Sequence, residues 1–542
     1  MAERNEQCNG PAARRPNFVV ILADDLGYSD IGCYGSEIAT PNLDALAGSG
    51  LRFSQAYNCA RCCPTRAALL TGLYPHQAGV GHMVGNYGIS EYQGYLRDDC
   101  VTIAEALKVG GYRTMMAGKW HVGGGYQANR PETWRPGTPD HPLPVQRGFD
   151  THYGMAGGGG SYFNPPYMVH DDRLVNPGAE SDSYYLTDDI SDRAATMVEE
   201  AAAADAPFFL YVGYTAPHWP LHALPEDIAC HEGRYRDGWD AVRTARHEQL
   251  KGMGVLDRRW PISPRDPDSR PWRDARHPDW EELRMAVYAA QVESMDRGIG
   301  RIMAALRRAG VEDDTLVLFL SDNGGCAEFL DEDGDSPGPF RYNIPTPDGR
   351  PMRVGNTPAV APGPDDTFQS YDLPWANASN TPFRLFKHWV HEGGIGTPLV
   401  ASWPRAIERS GIAHQPVHVI DIMPTLLAAA GIPLPERRDG RPVTPVEGEN
   451  LLPLLSGAPW QRDRPIFFEH EGNRAVRDGQ WKLVSRHPGS WELYDMHRDR
   501  TELRDLAAAH GGEVRRLARR YDDWARRCGV VPWHDLQRRR AQ

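Results

Sequence analysis

Two short polar pairs, Asp24-Asp25 and Asp322-Asn323, follow the apolar runs NFVVILA (17–23) and TLVLFL (315–320), the second after Ser321. Adjacent residues inside a strand point to opposite faces, so both members of a pair meet one ligand only where the strand has already ended. Three carboxylates and one amide oxygen at one point would repel one another without a cation, and an all-oxygen set suits Ca²⁺ or Mg²⁺. For either pair alone, loop capping by Asp and Asn is the alternative. A third feature is the string Cys62-Cys63-Pro64-Thr65-Arg66-Ala67-Ala68-Leu69-Leu70-Thr71-Gly72. Pro64 and Thr65 start helices well, the Ala and Leu residues extend them, and Gly72 stops them. The expectation is a reactive side chain just before a helix. There, unpaired backbone N–H groups and the helix dipole favour an anion, and Arg66 adds a fixed charge. A buried cysteine pair before an ordinary helix is the alternative. Lys119 and His121 share a face of an extended chain, His218 follows the run 207–214, and Lys387 lies between Arg384 and Glu392. Each alone is bland. Together they would surround an anionic ester with positive charge and offer a proton donor. Trp120 reads as packing and His222 as a secondary candidate. His470, Asn473 and Arg474 read as either pocket rim or surface.

The elements that would position these residues alternate between β and α. Strands are expected at 17–23, 112–117, 207–214, 315–320 and 397–403, and helices at 41–50, 101–110, 191–204, 280–309 and 421–431. This pattern predicts an α/β fold with a large, mainly parallel sheet between helices, whose ligand sites collect at the carboxyl ends of strands. Two irregular inserts, about 222–275 and 330–382, interrupt it and read as loops that shape a site or are disordered. Beyond 435 the pattern changes to short strands at 465–469, 473–477 and 481–485 and a polar helix at 512–527. The expected organisation is a flexible N-terminus (1–15), a catalytic domain (16–435) and a small C-terminal α+β subdomain with a short antiparallel sheet (436–542), ending in a solvated Arg-rich tail.

Composition narrows the function classes. The chain has 542 residues, 40% apolar and 24% charged, too rich in apolar side chains to be mainly disordered. A net charge of −13 argues against a general nucleic-acid or anionic-membrane binder, though a local basic pocket is compatible with it. No run approaches the roughly 18 apolar residues of a membrane span. The opening MAERNEQCNGPAARRPN has no apolar stretch of the secretory kind, and nine cysteines are few and odd in number, so a cytoplasmic thiol protein is expected. Cys59-Ala-Arg-Cys62 admits a redox or zinc reading, although no second Cys-x-x-Cys accompanies it.

The Cys62 string resembles the signature of the sulfatase family, Cys-x-Pro-Ser/Thr-Arg followed by an apolar pair and Thr-Gly. The resemblance runs in order from about Asn17 to Leu506, through Gly118-Lys119-Trp120-His121, Ala216-Pro217-His218, Ser321-Asp322-Asn323-Gly324, Glu392-Gly393-Gly394 and Glu492-Leu493-Tyr494-Asp495. It is nearest the large bacterial arylsulfatase type, within the alkaline phosphatase superfamily. It implies an alkaline-phosphatase-like fold and Cys62 oxidised to Cα-formylglycine by a separate formylglycine-generating enzyme. It also implies a Ca²⁺ ion on Asp24, Asp25, Asp322, Asn323 and the modified Cys62, with Mg²⁺ left open. Arg66, Lys119, His121, His218 and Lys387 are thereby carried into the catalytic site, and Cys63 fills the free position with no role assigned. The implied activity is hydrolysis of a small-molecule sulfate monoester, aryl sulfates included, to an alcohol or phenol and sulfate. The alternatives are a phosphonate monoester or phosphodiester hydrolase of the same superfamily, and a binding protein whose Cys62 stays unmodified. Physiological substrate and oligomeric state are not fixed by these residues.

Overall fold

The computed structural model describes residues 15–125, 131–181, 183–204, 206–331 and 344–541. Residues 1–14 of the expected flexible N-terminus and 332–343 of the second insert lie outside them. The strands in chain order are β1 (Asn17–Ala23), β2 (Leu51–Tyr57), β3 (Arg113–Gly118), β4 (Thr151–Met155), β5 (Met168–His170), β6 (Arg173–Val175), β7 (Phe208–Gly213) and β8 (Thr315–Ser321). Then come the two-residue β9 (Arg353–Val354) and β10 (Thr367–Phe368), β11 (Gly396–Ser402), β12 (Gly411–Ala413), β13 (Val417–His418), and the two-residue β14 (Arg437–Arg438) and β15 (Arg441–Pro442). The last four are β16 (Ile466–His470), β17 (Asn473–Asp478), β18 (Trp481–Ser485) and β19 (Glu492–Asp495).

The main sheet runs β12-β2-β11-β8-β1-β7-β3-β4-β5-β6, with β13 also on β2. Its centre, β8-β1-β7-β3-β4, is parallel throughout, and β11 runs antiparallel to both its neighbours, β8 and β2. The expected large, mainly parallel sheet is therefore present, with two reversed strands in it, β11 near the centre and β5 toward one edge. The central strands are continuously apolar because helices cover both faces. Along β1, Val19, Ile21 and Ala23 enter one core cluster while Phe18, Val20 and Leu22 enter the other. The first cluster holds residues of the helices Pro41–Ser49, Leu186–Ala202 and Pro278–Arg308, and the second holds residues of Cys62–Thr71, Ile103–Val109 and Ile422–Ala430.

The small antiparallel sheet β16-β17-β18-β19 carries the helix Gly511–Cys528. Val476, Leu483, Leu493, Leu517 and Trp524 join the second core cluster, so this sheet and the main sheet share one hydrophobic interior. Two expectations need correction. The first insert is not irregular: it contains the 15-residue helix Gly238–Gly252, whose Trp239 packs edge-on against Trp375 at 5.5 Å. The second concerns the C-terminal tail, whose Arg538 and Arg539 are solvated as expected but lie on a helix, Trp533–Ala541, that is anchored by Leu536, buried with Tyr87 and Tyr92. Among the described residues no helix is long and apolar enough to cross a membrane.

Candidate active site

β1 and β8 are adjacent and parallel with Ala23 opposite Ser321, so the two polar pairs that follow them emerge side by side. Asp25 has φ 63°, a left-handed conformation that breaks the strand and lets Asp25 turn to the same side as Asp24. The Asp25 N–H donates to Asp322 Oδ1 at 3.3 Å, and Asn323 Nδ2 donates to Asp25 Oδ1 at 2.6 Å. All four residues are 0–2% exposed.

Cations surround this group. Lys119 Nζ donates to Asp24 Oδ2. Arg66 donates to Asp322 Oδ2 from Nε at 3.1 Å and Nη2 at 2.8 Å, and its Nη2 lies 3.6 Å from Asp24 Oδ2. Lys387 Nζ donates to Asp25 Oδ2 at 2.9 Å. His218 Nε2 lies 3.4 Å from the same oxygen, while its Nδ1 bonds the Trp219 carbonyl at 2.6 Å. Burial pushes the Asp24 carboxyl up, but Lys119, His218 and Arg66 outweigh it and hold it below the usual range. Burial and the neighbouring Asp24 push Asp322 well above that range. Lys387 stays charged despite burial, chiefly because of Asp25.

Cys62 is the first residue of the helix Cys62–Thr71, inside the first turn rather than before it as expected. Arg61 ahead of it is extended, and Gly72 closes the helix at φ 67°, its N–H bonding the Ala68 carbonyl. Arg66 lies one helical turn on from Cys62, so the helix that presents Cys62 also delivers the guanidinium to Asp322. The hydrogen bond from Cys63, together with His121 and Lys119, holds the Cys62 thiol well below its ordinary pKa in spite of burial. His121 sits at φ 56° with Nε2 3.2 Å from Cys63 Sγ, and burial lowers it to about 4, so it is a neutral imidazole at pH 7.

The fit to a hard cation can be judged from the polar atoms. Asp24 Oδ1 and Asn323 Oδ1 are buried without a hydrogen-bond partner, and the carboxylates crowd closely enough to raise Asp322. Spare oxygens and crowded carboxyl groups are what a divalent ion with oxygen ligands would relieve. Asp24, Asp25, Asp322 and Asn323 therefore fit such an ion.

The fold brings together Asp24, Asp25, Cys62, Arg66, Lys119, His121, His218, Asp322, Asn323 and Lys387. Trp120 is buried packing, its Nε1 bonded to the Pro142 carbonyl. His222 is held by the Tyr162 N–H and the Thr367 carbonyl, leaving no ring nitrogen for a ligand. His470 and Asn473 are buried, not surface residues, and Arg474 stacks over Trp491 at 4.2 Å. Cys59 faces His418 at 3.8 Å, while the thiols that approach a common point are Cys62 and Cys63 with His121, so the Cys-x-x-Cys spacing does not form a site. Glu328 and Arg61 were not legible as site residues from sequence. They pair at 2.9 Å, and Trp219 Nε1 bonds Glu328 at 2.9 Å. Glu328 is held below the usual range against burial by Lys387 and Arg61, so it also steadies the positive wall of the site.

The family model described as Sulfatase matches residues 16–432, and that of the C-terminal part of N-sulphoglucosamine sulphohydrolase matches 383–517. The chain is 32% identical to an uncharacterized sulfatase of Schizosaccharomyces pombe, covering 96% of this chain and 95% of that one. It is 34% identical to an arylsulfatase of Klebsiella aerogenes, covering 81% and 91%. Among solved structures, that of Ps i-CgsB matches with TM-score 0.65 and 27% identity over 94% of this chain and 93% of that one. The phosphonate monoester hydrolase of Agrobacterium radiobacter matches with TM-score 0.56 and 20% identity over 95% and 96%, a likeness of fold alone.

Proposed function

The chain belongs to the sulfatase family, and on that footing we propose that it hydrolyses a sulfate monoester, aryl sulfates included, through Cα-formylglycine made from Cys62 and a divalent cation, Ca²⁺ before Mg²⁺. Sulfuric ester hydrolysis is the activity that goes with the family; the modified residue, the ion and the aryl preference are the proposal. The observation that carries it is the meeting of Cys62, on a helix N-terminus, with an all-oxygen quartet through a single arginine: Arg66 Nη2 to Asp322 Oδ2 at 2.8 Å.

A cation held by Asp24, Asp25, Asp322 and Asn323 would offset sulfate charge and lower the pKa of an attacking hydroxyl. A hydrated aldehyde at position 62 would offer two hydroxyls on one carbon, one to attack sulfur and the other whose deprotonation expels sulfate. The chain's other residues divide the remaining work. Arg66 and Lys119 orient residue 62. Lys119, His218 and Lys387 hold sulfate oxygens and offset charge that grows in the transition state. His218, with Lys387 beside it on Asp25, protonates the leaving alcohol or phenol. His121, neutral at pH 7 and beside residues 62 and 63, takes the proton of the second hydroxyl.

The test is peptide mass spectrometry across the Cys62 segment, run beside sulfate release from an aryl sulfate with Ca²⁺. The expected result is a segment about 18 Da lighter than the cysteine form, with sulfate released. An unmodified thiol after co-expression with a formylglycine-generating enzyme would overturn the proposed chemistry. Faster turnover of an aryl phosphonate monoester than of the aryl sulfate would favour the phosphonate reading instead.

A further inference from the structure

A second cluster of ligating side chains stands apart from the oxygen quartet, where the β16–β17 hairpin meets the loop after the helix Cys62–Thr71. His82 Nε2 lies 2.7 Å from Glu471 Oε1, and His470 Nε2 lies 3.7 Å from the same oxygen. One ligand atom from each of the three residues falls within 4.8 Å of the others. Ligands about 2.0–2.1 Å from a tetrahedral zinc ion stand about 3.3 Å apart, a spacing the two measured separations bracket. His470 is fully buried and neither of its ring nitrogens makes a hydrogen bond. A buried imidazole without a partner is costly unless something else occupies the space it faces.

The surroundings are those of metal-ligating histidines. Ligation at His82 Nε2 requires its proton on Nδ1, and Tyr87 Oη stands 3.0 Å from that nitrogen to accept it. His388 Nδ1 lies 3.1 Å from Glu471 Oε2, the oxygen not shared with His82 and His470, and so orients the carboxylate. Glu471 occupies the first turn position of the hairpin at φ 50°, where Asn or Gly is preferred, and Gly472 follows at φ 80°. The side chains of Glu471 and His388 are 24% and 28% exposed, which gives a path from solvent.

We propose that His82, Glu471 and His470 form a second metal site, for a borderline divalent cation of the Zn²⁺ type, with an open fourth position. It is independent of the reading of the Cys62 site. Two nitrogens and one carboxylate suit zinc, whereas the oxygen quartet suits a hard ion, so the two sites separate by metal preference. The ion would clamp the C-terminal hairpin to the core beside His388, the neighbour of Lys387.

The test uses tag-free, chelator-treated full chain refilled with excess Ca²⁺ and titrated with Zn²⁺ by calorimetry, and with Co²⁺ by visible absorption. One equivalent of Zn²⁺ is expected, with Co²⁺ giving d–d bands in the same stoichiometry. His470→Ala and Glu471→Asn should each weaken this equivalent about 100-fold or more while Ca²⁺ still binds. Glu471→Asn suits the turn, so it keeps the test sound if His470→Ala fails to fold. Absence of Zn²⁺ binding to the wild type would overturn the proposal. So would Zn²⁺ binding that survives both variants but is lost in Cys63→Ser, which would assign the ion to Cys62, Cys63 and His121.

Discussion

Arg66 ties the helix of Cys62 to the carboxylates. Its fork reaches Asp322 through two nitrogens, Nη1 bonds the Lys119 carbonyl at 3.0 Å, and the side chain is wholly buried. Lysine carries the charge but not the fork, so Arg66→Lys leaves Asp322 or the Lys119 carbonyl unpaired. The expected cost is about 3 kcal/mol of stability and a 100-fold or greater fall in kcat, read by thermal melting and sulfate release; near-wild-type values in both would remove Arg66 from this role. Cys62→Ala should instead lose turnover with an unchanged melting profile, and sulfate release at the wild-type rate would sink the assignment of Cys62. The residues that sequence reading found have chemical identities that speak for themselves next to a motif. Glu328 and Arg61 do not: they are 267 positions apart and gain meaning only by pairing with each other in the fold.

At the scale of elements, the strand ends carry the site, and glycine makes the closest approach possible. Gly118 ends β3 opposite Gly213 of β7, at φ 103°, and a Cβ there would lie 2.0 Å from the Gly213 carbonyl oxygen. Gly118→Ala must therefore push β3 away from β7 just before Lys119 and His121. We expect a drop of several degrees in Tm and a fall in kcat of about 100-fold or more, measured on the same preparation; a loss of Tm with kcat intact would show that the Lys119–His121 segment tolerates the shift. β1 and β8 were legible because burial on both faces makes their sequences continuously apolar. The helix Gly238–Gly252 was not, for the opposite reason. Its buried face includes Arg243, Arg246 and His247, and Arg246 pairs with Asp30 and with Glu37 at 2.8 Å, so the inward stripe looks polar in sequence. The final helix was hidden likewise, since one buried Leu536 among arginines gives no helical stripe.

At the scale of the whole molecule, the C-terminal sheet is joined to the catalytic core by charge as well as by shared apolar packing. Lys482 on β18 bonds Glu392 at 2.9 Å and lies 2.7 Å from Glu502, and Arg500 bonds Glu392 at 2.8 Å, all four residues being fully buried. Glu392 is five residues past Lys387, so the network also braces the segment that carries a site cation. Burial alone would raise the Glu392 carboxyl, but Lys482 and Arg500 hold it below its ordinary value of 4.5. A carboxylate with a depressed folded pKa contributes stability above its unfolded value, and that contribution is lost as pH falls through the folded one. Lys482→Met removes a cation and leaves Glu392 and Glu502 buried together, a change worth about 3–5 kcal/mol at neutral pH. In the variant Glu392 keeps only Arg500, so burial moves its carboxyl up relative to the wild type and the stability its ionisation contributes above about 4.5 shrinks. The gap in stability between wild type and Lys482→Met should therefore be wide at pH 7.5 and narrow toward pH 4.5. Urea denaturation of both proteins at the two pH values measures it, and an equal gap at both would mean that packing of the lysine stem, not its charge, holds the two sheets together.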